Sequence, residues 1–200
     1  MRESIGHQLC PDLGIELRPM VAGDFAMLHG WLSDPGVSHW WDSPPPTVAQ
    51  VSAKYEPRLA GSEPVSCLIA CEKGRPFGLL QWYWLEDFPD HPGSAFVAGK
   101  WVAVDLLIGA PADRVRGLGR TMLRLWRTVL FAEYPEVVGV AIDPAATNLQ
   151  AIAAYRRAGF VEIGRSRDPE TDESCLIMVC HRDGTSDQMA TGPYPPDSAH

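Results

Sequence analysis

Three short stretches of this chain carry residue types at spacings that could do chemistry. The first is Arg114-Val115-Arg116-Gly117-Leu118-Gly119, after which Leu118, Met122, Leu125 and Val129 recur at helical spacing while Arg120, Arg124 and Arg127 mark another face. The spacing predicts a helix that begins at the Gly117-Leu118-Gly119 turn. Its first backbone N–H groups would have no intrahelical partner, and glycine removes the Cβ that keeps an anion such as a diphosphate from the backbone. Arg114, Arg116 and Arg120 would add charge; the alternative is a tight turn with a solvated basic face. The second stretch is Trp101 to Ile108, an apolar run interrupted by Asp105. An acid there caps a bulge, pairs with an arginine, or takes a proton from a reacting group. The third runs from Asp143-Pro144 through Asn148 and Tyr155 to Gly159-Phe160. The Tyr155 phenol stays protonated at neutral pH and can act as an acid, the alternative being a packing aromatic. Asn148 is either a ligand-contacting amide or a helix cap.

The elements that must position these residues alternate in type. Gly14 to Met20 is predicted as a strand, followed by a helix whose apolar set is Phe25, Met27, Leu28, Trp31 and Leu32, ending near Asp34-Pro35-Gly36. Pro44 to Pro46 makes an extended connection, and Thr47 caps a second helix through about Leu59. Strands at Val65 to Cys71 and Phe77 to Leu85 flank a Gly-containing connection of hairpin length and should pair antiparallel. The loop at 86–99 leads into the Trp101 strand. After the glycine turn and its helix come a buried strand at Val137 to Ile142 and a helix from a Thr147/Gln150 capping box to Gly159. Strands at Phe160 to Gly164 and Ser174 to Cys180 close the pattern. The class is α/β (α+β): a mixed, mostly antiparallel sheet flanked by helices.

Composition bounds the function. Two hundred residues with 46% hydrophobic content support one domain, placed at 14–182, with an N-terminal extension at 1–13 and a flexible tail at 183–200. A net charge of −8, from 17 basic and 25 acidic residues, argues against nucleic acid and suits a cationic partner. The chain has neither a long uninterrupted apolar run nor an apolar signal core near Met1, so no membrane role and a cytoplasmic address are expected. Cys10, Cys67, Cys71, Cys175 and Cys180 show no metal-ligand spacing; reduced thiols and no metal are expected.

Arg114-Val115-Arg116-Gly117-Leu118-Gly119 matches the R/Q-x-x-G-x-G/A signature of the GCN5-related N-acetyltransferases, which the chain resembles over about residues 14 to 182. Within that family it is most similar to the aminoglycoside 6'-N-acetyltransferases. Leu17-Arg18-Pro19-Met20, His39-Trp40-Trp41, Val104 to Gly109, Gly117-Leu118-Gly119 and the Asp143 to Phe160 stretch have counterparts there in the same order. The resemblance implies acetyl-CoA as co-substrate, approached by Leu107, Ile108, Arg114, Arg116, Gly117, Leu118, Gly119, Arg120, Thr121, Asn148 and Tyr155. It implies direct attack by an amine, with Asp105 as base and Tyr155 as acid toward the departing thiolate. A protonated amine must lose its proton before attacking a thioester and needs counter-charge nearby, which a carboxylate supplies. Trp40, Trp41, Asp42, Asp105, Asp143, Asp172 and Glu173 would surround the cationic acceptor, with the chain a monomer or homodimer. Siderophore-pathway lysine acyltransferases share several of these motifs but tend to carry histidine where Asp105 stands. An acyltransferase for such a metabolite amine and a non-catalytic acyl-CoA or antibiotic-binding module are the alternatives. The 86–99 loop does not match the corresponding loop of the aminoglycoside enzymes.

Overall fold

The computed structural model describes residues 8–10, 14–41, 45–168 and 172–184. Among the described residues, eight strands form a single sheet in the order β1-β2-β3-β4-β5-β6-β8-β7. They are β1 (Gln8–Cys10), β2 (Ile15–Pro19), β3 (Ser66–Glu72), β4 (Arg75–Trp84), β5 (Trp101–Ile108), β6 (Gly139–Ile142), β7 (Val161–Arg167) and β8 (Ser174–His181). Every neighbouring pair is antiparallel except β5 and β6. The helices are α1 (Phe25–Leu32), α2 (Pro35–Ser38), α3 (Val48–Leu59), α4 (Pro111–Arg114), α5 (Leu118–Glu133) and α6 (Leu149–Arg157). The fold is therefore the expected mixed sheet with flanking helices.

Period-two alternation sorts the strand side chains onto two faces. On β3, Leu68 and Ala70 join the core under α5 and α6, while Cys67, Ile69 and Cys71 join a second core under α1 and α3. The first core is continuous, running from Ile15 and Leu17 through Trp82, Val104 and Trp126 to Phe160 and Met178. The opposite face is divided. Leu79 and Leu107 belong to the α1/α3 core, whereas Trp101, Ala103, Ala141 and Val179 form a separate cluster beside the 86–99 loop. Between these two clusters the same face carries Gln81 and Asp105, opposite each other in the β4/β5 register.

Several local expectations are corrected. Residues 8–10 of the N-terminal extension form an edge strand paired with β2, although their pattern is too short to read. Asp34-Pro35-Gly36 does not simply stop a helix: Asp34 caps α2 by accepting from Gly36 N, with Pro35 at the first position, where a missing N–H does no harm. Helix α6 is capped by Asn148, whose side chain accepts from Ala151 N at 3.1 Å, rather than by the Thr147/Gln150 pair. On α5 the buried stripe is Leu118, Met122, Leu123, Trp126 and Leu130. Arg127 is not on a solvated face, since it donates to Ala158 O at 2.7 Å. The 183–200 tail falls outside the described residues from 185 onward. Among the described residues no helix is long and apolar enough to cross a membrane, and no cluster of His, Cys, Asp and Glu is placed to hold a metal.

Candidate active site

The parallel pair is where the sheet opens. β5 and β6 stay in register for only three residue pairs, ending at Ala103 and Ala141, while β5 continues on β4 to the Gly78–Ile108 pair. After Ile142 the segment leaving β6 follows β8 instead: Leu176 N donates to Pro144 O, Ala146 N donates to Ser174 O, and Ala145 bridges Cys175. The strands thus diverge at their carboxyl ends, and a cavity of about 1340 Å³ occupies the split. Both strands feed helices, α5 and α6, whose N-termini lie at this end. This is the crevice in which α/β sheets bind ligands.

One wall is the start of α5. Gly117 caps α5 with φ +75°, a left-handed conformation that explains the glycine. The helix ladder starts with Thr121 N donating to Gly117 O at 3.2 Å, so the N–H groups of Leu118, Gly119 and Arg120 precede it. Gly117, Gly119, Arg120, Leu107 and Ile108 line the cavity, and so does Asn148. Thr121 and Leu118 do not line it; the Thr121 hydroxyl is turned to Gly117 O at 3.4 Å and Leu118 is buried in the core.

The arginines of the motif do not pool their charge on this turn. Arg114 donates to Ile108 O at 3.1 Å and Gly109 O at 2.6 Å and pairs with Asp34 at 2.7 Å, fastening α2 to the end of β5. Arg116 makes two 2.8 Å bonds to Glu72 and one of 3.0 Å to Asp113, and is absent from the cavity lining. The Glu72 and Asp113 carboxylates hold the Arg116 guanidinium well above its usual range, and Arg114 is committed to Asp34 and two carbonyls, leaving exposed Arg120 as the motif arginine beside the cavity without such an engagement among the described residues.

The opposite wall is acidic. Asp105 is half-buried on β5 and accepts from Gln81 Nε2 at 2.9 Å. Loss of hydration and the nearby Asp143 carboxylate push its pKa up to about 6, against the pull of Gln81, His91 and Arg58. A carboxylate of that pKa is mostly ionised at neutral pH and close to the operating range of a general base. Asp143, at the end of β6, faces His91 Nε2 at 3.6 Å. His91 Nδ1 accepts from Gly93 N at 2.9 Å, which makes Nε2 the protonated nitrogen of the neutral ring. Tyr155, on α6, lines the same cavity, and burial together with the Asp105 and Asp143 charges raises its phenol above the ordinary range. The phenol is therefore protonated at neutral pH.

Trp40 is exposed and Trp41 half-buried against the α1/α3 core; both line the cavity. Glu173 lines it too, but Asp172 points elsewhere, exposed at φ +57° with its carboxylate 3.2 Å from Arg167. Asp42 lies outside the described residues. Sequence reasoning missed Arg58, Gln81, Tyr83 and His91, all of which line the cavity. Gln81 and Tyr83 could have been found, because two polar groups alternate with Trp82 and Trp84 in a strand that pairs with Asp105. His91 sits in an aperiodic loop and Arg58 on an ordinary amphipathic helix, so neither carried a signal.

The acetyltransferase (GNAT) domain family matches residues 20–167. The aminoglycoside N(6')-acetyltransferase type 1 of Klebsiella pneumoniae is 34% identical over 175 residues, 82% of each chain, and the protein of the same name from Serratia marcescens gives the same figures. Among solved structures, the aminoglycoside acetyltransferase AAC(6')-Ib in complex with coenzyme A superposes with a TM-score of 0.74 at 30% identity, covering 85% of this chain and 96% of that one. With a split parallel pair, a glycine-capped helix start beside it and relatives of this kind, the chain belongs to the GNAT acetyltransferase family.

Proposed function

We propose that this enzyme is an aminoglycoside 6'-N-acetyltransferase that passes the acetyl group of acetyl-CoA directly to an amine of the antibiotic, and so confers resistance. The observation that carries the reading is Asp105, a carboxylate with a pKa of about 6 on the wall of an acid-lined cavity that Tyr155 also reaches. Acetyl-CoA supplies the acyl group as an activated thioester. The N–H groups at the start of α5 and Arg120 hold its diphosphate, and Leu107, Ile108 and Asn148 flank the split through which the acyl end passes. Asp105 removes a proton from the acceptor ammonium, which attracts the cation and frees the nitrogen lone pair for attack. Tyr155 donates its phenolic proton to the departing thiolate. Cys67 and Cys175 are buried with pKa values pushed up to about 12 and about 11, so neither is a thiolate nucleophile and no acyl-enzyme step is needed. Asp143, Glu173, Trp40 and Trp41 complete the acceptor wall with counter-charge and apolar ring faces. An enzyme drawing on acetyl-CoA in this way works in the cytoplasm.

The relatives' names support the acceptor class, and AAC(6')-Ib has been solved with coenzyme A and kanamycin and with ribostamycin and coenzyme A. The test is thiol release from acetyl-CoA with aminoglycosides that do or do not bear a 6'-amine, with product mass and position determined. Turnover restricted to the 6'-amines is expected; turnover only with unrelated amines would overturn the reading.

A further inference from the structure

Behind Asp105 runs a line of hydrogen bonds whose donors and acceptors all point one way. Arg58, on α3, has a side chain only 11% exposed. It donates from Nε to Glu63 Oε1 at 3.1 Å and from Nη1 to Gln81 Oε1 at 2.7 Å, and its guanidinium lies 5.1 Å from the Tyr55 ring centre. Gln81 Nε2 in turn donates to Asp105 Oδ2 at 2.9 Å. An arginine can only donate, so Arg58 can meet only the oxygen of the Gln81 amide. The amide nitrogen is thereby turned toward Asp105, which when ionised can only accept.

We propose that Arg58 is a positioning residue for the proton-accepting carboxylate: held by Glu63, it fixes the orientation of the Gln81 amide, and that amide fixes Asp105. The inference rests on the reading of Asp105 as the base. Its electrostatic consequence follows from the surroundings. Burial and Asp143 raise the pKa of Asp105, and the Asp105 charge in turn reaches Tyr83, Tyr155 and Cys67. Against them stand the Gln81 bond, His91 and Arg58, so Gln81 and Arg58 both favour the ionised form of Asp105.

The experiment is the pH profile of kcat and kcat/KM for acetyl transfer to kanamycin, using the full chain and the variants Arg58→Met, Arg58→Lys, Gln81→Met, Arg58→Met with Gln81→Met, and Asp105→Asn. Arg58→Met should lower kcat about tenfold through misorientation of the base, and move the acid limb upward by about half a unit or more. Arg58→Lys, which keeps the cation, should return the limb toward wild type. Because Arg58 acts through Gln81, the double variant should be no slower than Gln81→Met alone. Gln81→Met leaves the Arg58–Glu63 pair in place and should show the same upward shift, so an unshifted limb in that variant overturns the proposal even if Arg58→Met does not fold. Multiplying losses in the double variant also overturn it. If Asp105→Asn abolishes turnover while the other limbs stay put, this inference alone fails; if Asp105→Asn turns over normally, the assignment of Asp105 fails with it.

Discussion

The two faces of the sheet are built from the same strands and do different work. Under α5 and α6 the core is unbroken, and Trp82 and Trp126 meet at 6.2 Å between ring centres within it. On the other face the apolar surface stops at Leu79 and Leu107 and resumes at Trp101, Ala103 and Ala141, with Gln81 and Asp105 in between. A polar interruption in a buried face is destabilising unless its groups are hydrogen-bonded. Here they are, at the point where β5 and β6 part. The continuous face therefore carries stability, and the broken face carries the polar groups to which the proposed chemistry is assigned.

The largest effect should come from the continuous face. Trp126 is fully buried, so Trp126→Ala should destabilise the fold by about 3–5 kcal/mol, read by denaturant unfolding. A change below about 0.5 kcal/mol, the size of an ordinary surface effect, would deny that this face dominates stability.

Asp105→Asn should do the reverse. Turnover should fall by about 10²-fold or more, the usual worth of general-base assistance, while the melting temperature stays level or rises. The sign follows from the pKa: the Asp105 value in the fold, about 6, lies above its ordinary 3.8, so the folded state holds the proton more tightly. Its contribution to stability is fully present below about pH 4 and is lost as pH rises through about 6. Asp105→Asn should flatten that decline in unfolding free energy between pH 4 and pH 6, as followed by urea titrations at each pH. An unchanged slope would place the proton elsewhere.

Much of this division was legible in advance. Asp105 stands out because it is the lone acid in an apolar strand, and the β3 and β4 boundaries follow from apolar runs on either side of the Lys73-Gly74 turn, where both residues have positive φ. The glycine turn and the α5 start were equally plain from helical spacing. What stayed hidden depends on contacts distant in sequence. Arg114 and Arg116 look like free phosphate ligands until Asp34 and Glu72, 80 and 44 residues away, are brought against them. Thr147 and Asn148 are both good capping residues, and only the backbone decides that Asn148, not the Thr147/Gln150 box, caps α6. The 86–99 loop has no periodicity from which the approach of His91 to Asp143 could be read.

Smaller effects sharpen the comparison at the site. Tyr155→Phe should lower kcat about tenfold or more with little change in acetyl-CoA affinity, because it removes a proton donor and leaves the ring in place; an unchanged kcat in stopped-flow thiol release would return Tyr155 to packing. The smallest effect concerns the acidic turn. Glu173→Gln should weaken aminoglycoside binding and its salt dependence slightly, whereas Asp172→Asn, whose carboxylate is exposed beside Arg167, should change neither. Calorimetry at two salt concentrations separates them, and equal effects from both would mean that the turn meets the acceptor as a whole.

The central claim is that the carboxylate in the gap of the broken face accepts the proton of the attacking amine. The most direct measurement is the pH dependence of kcat/KM for acetyl transfer to kanamycin in the wild type and in Asp105→Asn. An acid limb near pH 6 is expected in the wild type, with activity falling as pH drops, and it should disappear from the residual activity of the variant. An identical limb in both proteins would contradict it.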